Sequence, residues 1–286
     1  MNKNIGLVSL FASALLFSAA CSSDDKVGGE GDTVDAANPT VDAMGGGDTV
    51  DAAPTPDSAP APDATPSALD CVGAALPTVV ANPPITVAGD VQEVTLSGAG
   101  ALTDETHIGL HNIVDDTVIV EGDFTGTFSL VDPTNSATPL DAYIKATVSG
   151  HVDTYIFPGT ALSENIDNAP LLMLSNSVFG FLPTFSGVPA IAGTGTFTTA
   201  VVDCNNDPIA GAVLTISPDM GTVQYGDASG LPNTAGGTET LAAGVVYIFN
   251  VPPGEYTISV DVGGTAMRSN TVKSFANGVS TIQIVP

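Results

Sequence analysis

The chain has 286 residues, and its 31 acidic against 5 basic side chains give a net charge of −26. Such a balance argues against a nucleic-acid-binding protein, which needs a basic surface, and against adhesion of the protein surface to anionic lipid. We interpret the acidity as a solubility feature, with divalent-cation binding as the alternative.

Residues 1–20 have the order of a secretory signal peptide: a lysine, the apolar run IGLVSLFASALLF at 5–17, and then small residues. The run of 13 residues is shorter than the ~20 that cross a bilayer, so it predicts export and cleavage. The stretch LFSAAC resembles a bacterial lipobox, although Ser18 stands where leucine is usual. We therefore expect lipidation at Cys21 and a cell-envelope location on the outer membrane. The alternative is an ordinary signal peptide with an unmodified Cys21.

Residues 21–70 are built from Asp, Ala, Pro, Gly and Thr, and GDTVDAA occurs at both 31–37 and 47–53. A segment with so few large apolar residues cannot bury enough surface to offset the entropy of ordering it. Its prolines favour an extended chain. The composition predicts a disordered stalk between the lipid anchor and a folded part.

From Cys71 onward, short segments rich in β-branched and aromatic residues are separated by turn residues about every 8–12 positions, which predicts a mainly β protein of sandwich type. The predicted strands are 85–89, 91–98, 106–114, 117–122, 125–131, 141–150, 151–158, 196–203, 212–218, 222–226, 245–250, 255–262 and 279–285. A long glycine-rich loop at 226–244, which we expect to be mobile, interrupts the second group of strands.

Residues 161–193 have a different pattern, and we predict a short helical insert there. Apolar residues recur with helical spacing at Leu171, Leu174, Val178 and Phe181. Asn168 is the expected cap, and Pro183 is expected to end the helix. The insert is expected to lie over or between two β-domains, and we favour core packing over a ligand pocket.

The second β-region resembles the carboxypeptidase regulatory-like family, a transthyretin-like sandwich of about seven strands. VVDCNNDPIAGAVLTI at 201–216, NVPPGEYTISV at 250–260 and GVSTIQIVP at 278–286 carry the resemblance. Residues 84–160 look like a more diverged copy that lacks the PPGEY element. The resemblance implies two tandem transthyretin-like or Ig-like β-sandwiches, at 71–160 and 194–286, in domains that are usually accessory rather than catalytic.

Cys71 and Cys204 remain once Cys21 is assigned to lipid. Because an exported protein meets an oxidising compartment, we predict a disulfide between them. The alternative is a pair of thiols that never meet.

Two groups of residues are candidates for metal binding. His107 and His111 would lie ~13 Å apart along a strand, which is too far for a single ion. Asp203, Asn205 and Asp207 alternate like calcium ligands, but Pro208 and Leu214 occupy the positions where a calcium loop needs glycine and glutamate. We therefore favour a turn between two strands over a calcium site, and we predict no metal or other cofactor.

These observations predict a non-catalytic cell-envelope lipoprotein that presents β-sandwich domains for a structural or binding role. The alternatives are an adhesion module that binds a polysaccharide or a protein, and a hydrolase with a site that no motif reveals. The membrane is the expected partner through the lipid, and a protein or polysaccharide partner is possible through the 226–244 loop or the helical insert.

Overall fold

The computed structural model describes residues 68–95 and 98–286. The predicted signal peptide, Cys21 and the predicted stalk up to residue 67 lie outside the described residues. The described part contains sixteen strands in three sheets and one α-helix, which confirms the mainly β prediction. None of its helices is long and apolar enough to cross a membrane.

The strands match the predicted segments in most places, and the segments at 85–89 and 91–98 join into one strand. Four elements lie where no strand was predicted: β2, β8, β14 and β15. The elements are β1 Thr86–Thr95, β2 Gly98–Ala101, β3 Thr106–Asn112, β4 Val118–Phe124, β5 Thr127–Val131, β6 Ala142–Thr147, β7 Thr154–Phe157, β8 Leu171–Leu174, α1 Asn176–Ser186, β9 Gly195–Val201, β10 Ala212–Ser217, β11 Thr222–Tyr225, β12 Val245–Val251, β13 Gly254–Val262, β14 Thr265–Ala266, β15 Asn270–Ser274 and β16 Val279–Ile284.

An eight-stranded sheet in the order β11-β12-β9-β16-β7-β6-β3-β4 runs through the centre of the fold. Its last strand in sequence, β16, lies between β7 and β9 and is parallel to both. The predicted 71–160 and 194–286 segments therefore contribute strands to one continuous sheet. Strand β9 is buried along its whole length because other layers cover both of its faces.

Two smaller sheets cover the central sheet and produce two hydrophobic cores. In one sheet β13 pairs with β10, β14 and β15, and in the other β1 pairs with β2, β5 and β8. The side chains of strand β7 show that the two cores lie on opposite faces of the central sheet. Tyr155 and Phe157 pack in the core of β10 and β13, whereas Ile156 packs in the core of β1 and β5. Two sandwich cores are thus present, and they share the central sheet.

The helix prediction was correct in kind but wrong in its limits. Residues Leu171–Leu174 form β8, which pairs in parallel with β1, and the buried and half-buried positions alternate along it. The helix begins after Ser175, whose hydroxyl accepts a hydrogen bond from the N–H of Val178, so Ser175 and not Asn168 is the cap. Pro183 lies inside the helix, which ends at Gly187 in left-handed backbone conformation. Pairing with β1 makes Leu171–Leu174 a strand, and the spacing of apolar residues in the sequence does not reveal that pairing.

In the second β-region, buried and more exposed residues alternate along strand β13, as the sequence predicts. Along β13, Tyr256, Ile258 and Val260 are buried. Residues 226–244 form an irregular connection between β11 and β12, as predicted, and hydrogen bonds hold it against the fold. The hydroxyl of Tyr247 donates to the carbonyl of Gly230 at 2.6 Å, and the carboxylate of Asp227 accepts from the N–H groups of Ser229 and Leu231.

Candidate functional site

Cys71 and Cys204 form a disulfide at the point where the predicted stalk meets the β-structure. Two further contacts hold the same short segment. The N–H of Cys204 donates to the carbonyl of Ala68 at 3.0 Å, and the guanidinium of Arg268 donates to the carbonyl of Ala74 at 3.1 Å. Because residues 68–85 include no strand, these contacts attach the start of the described chain to the second β-region. We call this group the N-terminal clamp.

The residues that resemble calcium ligands form a turn next to the clamp. The carboxylate of Asp203 is buried, and its Oδ1 accepts hydrogen bonds from the N–H of Asn205 at 2.7 Å and of Asp207 at 2.9 Å. Asn206 occupies the left-handed region at φ 66°, which asparagine tolerates better than most residues. Within the described chain, no group of three or more His, Cys, Asp or Glu side chains is placed to hold a metal ion.

The histidines are paired with separate partners. His107 on β3 lies opposite Asp123 on β4, with Nδ1 2.8 Å from the Asp123 carboxylate and Nε2 3.3 Å from that of Glu121. The hydrogen bond with Asp123 raises the pKa of His107 above its ordinary value, and Glu121 acts in the same direction. His111, four residues along the same strand, stacks on the ring of Tyr143.

His151 is nearly buried, and its Nε2 lies 3.2 Å from the carboxylate of Glu93 on β1. The three histidines therefore occupy three different environments and do not converge on one centre. Each has a carboxylate or an aromatic ring as a neighbour.

A lysine that sequence reasoning left without a role joins β15 to the turn between β3 and β4. The ammonium of Lys273 lies 2.7 Å from Oδ1 of Asp116 and is mostly buried. The hydroxyl of Tyr143 donates to the same oxygen at 3.1 Å. Burial raises the pKa of Tyr143, and the Asp116 carboxylate adds to the shift, so the phenol stays protonated as a donor. This contact is not predictable from sequence, since 157 residues separate its two charges.

Comparisons with known proteins give structural matches alone. No protein-family model matches the chain, and no curated protein matches it. The chain is similar in structure to the shaft pilin SpaA of Lactobacillus rhamnosus GG, at 13% identity and a TM-score of 0.23. The match covers 71% of this chain and 98% of the pilin.

Two other solved structures match at the same level. The minor pilin GBS52 of Streptococcus agalactiae is 11% identical with a TM-score of 0.23, and 70% of this chain and 95% of that chain are covered. The Bacillus anthracis TIE protein is 14% identical with a TM-score of 0.22, and the match covers 71% of this chain and 34% of that one. The chain thus spans about one third of the TIE protein's length. Because the sequence identities and TM-scores are this low, no activity or partner of these proteins is assigned to this chain.

Proposed function

We propose that this protein is a non-catalytic cell-envelope lipoprotein that presents a β-sandwich head on an extended stalk. Lipid on Cys21 provides the anchor, residues 22–70 provide the stalk, and the described residues provide the head. We also propose that residues 194–286 belong to the carboxypeptidase regulatory-like family, on the three sequence elements quoted above.

The N-terminal clamp is the observation that carries this proposal. A stalk transmits any pull on the head to residues 68–74, and the disulfide is the covalent link between these residues and the second β-region. The Cys71–Cys204 disulfide transfers that pull to the turn between β9 and β10. That turn follows a central strand that is buried along its whole length, so the load reaches the packed interior of the fold.

Lipid anchoring is tested by fractionating cells that produce the wild type or the Cys21→Ala variant. We expect the wild type in the detergent phase of a Triton X-114 extraction and the variant outside it. The Cys71→Ala/Cys204→Ala double variant is the matched control, since it also loses cysteines and should keep the anchor. Retention of Cys21→Ala in the membrane fraction would show that lipid on Cys21 is not the anchor.

The stalk and the non-catalytic role need separate measurements. Brief proteolysis of the anchored protein should cut within residues 22–66 and release an intact head that begins near residue 68. Stable resistance of the whole chain would contradict the stalk. The released head should hydrolyse no substrate in a panel of esters, peptides and glycosides, and turnover of any of them would overturn the non-catalytic assignment.

A further inference from the structure

Helix α1 is held against the central sheet by its inner side. Leu182 packs against Tyr247 and Phe249 of β12. The carbonyl of Ser186 accepts a hydrogen bond from the side-chain amide of Gln224 on β11 at 2.6 Å. Because these contacts fix the helix, its outer side is a surface of defined shape.

The outer side of helix α1 carries apolar and small residues and no charge. Of the phenylalanines that the structure describes, Phe181 and Phe185 alone are exposed, and their ring centroids are 6.3 Å apart. The solvent-facing side of a surface helix is usually charged or polar, and exposed aromatic clusters mark interaction sites. The exposed residues of the helix are Asn176, Ser177, Gly180, Phe181, Thr184 and Phe185.

The exposed residues divide into a crest and a flank. At about 3.6 residues per turn, the small residues Ser177, Gly180 and Thr184 follow one another along the outermost line of the helix, which we call the crest. Phe181 and Phe185 lie side by side along one flank of this crest. The aromatic rings therefore project beside a row of residues that occupy little space.

A groove of about 280 Å³ lies along the opposite flank, between the helix and the loop that follows it. Phe179, Gly180 and Pro183 line the groove from the helix, and Ile191 lines it from the loop. Gly180 and Ile191 are exposed, so the groove opens to the solvent. A cavity of ~150 Å³ is large enough to bind benzene, so this groove has room for one phenyl ring.

The outer face of helix α1 is therefore complementary in shape to itself. A two-fold axis parallel to the helix places the aromatic flank of each copy on the groove flank of the other. Small crest residues at the contact allow the two helices to approach closely. Isologous dimers need this arrangement, in which one patch carries both the projecting groups and the spaces that receive them.

Charge also favours a second copy on this face. Two chains that each carry a net charge of −26 repel each other, so a contact between them must avoid burying further acidic groups. Residues 168–202, which contain the helix, the loop after it and β9, include no charged residue. The uncharged face is thus a place where two copies can meet without an unpaired carboxylate at the contact.

From this arrangement we propose that the outer face of helix α1 is a dimer interface, in which two copies pack their helices in parallel and each inserts Phe181 into the groove of the other. The 11-residue helix spans ~16 Å, which is short for a stable interface, so the dimer is reversible. A dimer interface goes beyond the presentation role proposed above and does not depend on lipid at Cys21.

Single cysteines on the crest test the dimer in cells that produce the full chain. In a parallel pair each crest residue faces its own counterpart, so Ser177→Cys and Thr184→Cys should each give a disulfide-linked dimer on mild oxidation. The wild type gives the background from Cys21, and Val213→Cys, at an exposed position of β10, should not exceed it. Non-reducing electrophoresis measures the yield.

The pattern of crosslinks decides the packing. A dimer from only one of the two crest cysteines would contradict the parallel arrangement. Absence of any dimer above the wild-type background, or a crosslink to a different protein in its place, would overturn the interface between copies.

Sedimentation equilibrium of the purified intact protein measures the strength of association. Phe181→Ser removes the inserted ring, and Gly180→Leu fills the mouth of the groove, so each should raise the Kd of the dimer about tenfold or more. An added Cβ at Gly180 meets no atom within 4 Å, so the leucine variant keeps the fold. Val213→Ser removes an apolar side chain elsewhere and should leave the Kd unchanged.

Added NaCl should strengthen the dimer, because salt screens the repulsion between two acidic chains. A monomer at every protein and salt concentration would refute the interface, and so would a dimer that Phe181→Ser and Gly180→Leu leave unchanged.

A lipid surface is the other occupant that an apolar face could take, and Phe185→Trp distinguishes it. The chain has no native tryptophan, so the emission reports this position alone. In the intact protein reconstituted into phosphatidylcholine vesicles, we expect emission that shifts to shorter wavelength as the protein density rises and is not quenched by brominated phosphatidylcholine. Quenching by the brominated lipid would assign the face to the membrane and overturn the dimer.

Discussion

Removal of the Cys71–Cys204 disulfide is the perturbation that most directly tests the clamp. The double variant Cys71→Ala/Cys204→Ala is preferable to either single variant because it leaves no lone thiol to form mixed disulfides. The change removes the covalent link and keeps the backbone contact between Cys204 and Ala68 as well as the Arg268 contact. Any loss of stability is then assigned to the link itself.

The magnitude follows from the 133-residue separation that the bond closes. In the chain-entropy model, closing a loop of this size lowers the free energy of folding by about 5 kcal/mol, and measured losses on removing native disulfides are about 2–5 kcal/mol. A typical domain has a free energy of unfolding of about 5–15 kcal/mol. We therefore expect the variant to lose about 3–5 kcal/mol, which is a large share of the total.

Urea unfolding followed by circular dichroism measures this loss, with wild type in reducing buffer as a second way to remove the bond. We expect the reduced wild type and the double variant to share a midpoint well below that of the oxidised wild type. A loss below about 1 kcal/mol would refute the loop-closure reasoning. It would mean that only the segment around residues 68–80 frays and that the global equilibrium is insensitive to the link.

Three smaller perturbations test the other contacts. Asp203→Ala should lower the free energy of unfolding by about 1–3 kcal/mol, because the N–H groups of Asn205 and Asp207 lose their charged acceptor. A change within error in urea unfolding would contradict the turn assignment. Lys273→Met should cost about 0.5–1 kcal/mol in the same assay, because Asp116 loses its cation but its half-exposed carboxylate stays hydrated. A double-mutant cycle with Asp116→Asn should recover a coupling energy, and additive losses would show that the two side chains do not interact. The NMR titration midpoint of His107 should lie above about 6.5 and fall in Asp123→Asn. Because the pKa of His107 is raised in the folded state, the stabilisation by this pair is fully present below the unfolded pKa and disappears as the pH rises through the folded pKa. An unchanged midpoint in Asp123→Asn would exclude the Asp123 carboxylate as the cause of the raised pKa.

Local sequence pattern accounts for most of the strands. Alternation of apolar and polar residues places Tyr256, Ile258 and Val260 on one buried face of β13, and the structure confirms it. The turn at Asp203 also follows from local chemistry, because Asp and Asn side chains bond to backbone N–H groups two to four residues ahead.

Strand order was decided by contacts that no local pattern encodes. Strand β16 inserts between β7 and β9 and merges the two sandwiches through one sheet, so Ile282 pairs with residues more than 80 positions away. Leu171 and Leu174 fit a helical spacing, yet they form a strand because β1 offers a parallel edge for them. Hydrogen bonding between distant strands outweighed the local preference there.

The sequence by itself determined the mainly β class, most strand positions, the turn at Asp203 and the acidity, because all of these depend on residue type and short-range spacing. Tertiary structure alone decided the shared central sheet, the pairing of Lys273 with Asp116 and the groove beside helix α1. Each of these arises where segments far apart in sequence pack together. Their geometry depends on which faces the completed sheet leaves covered or open.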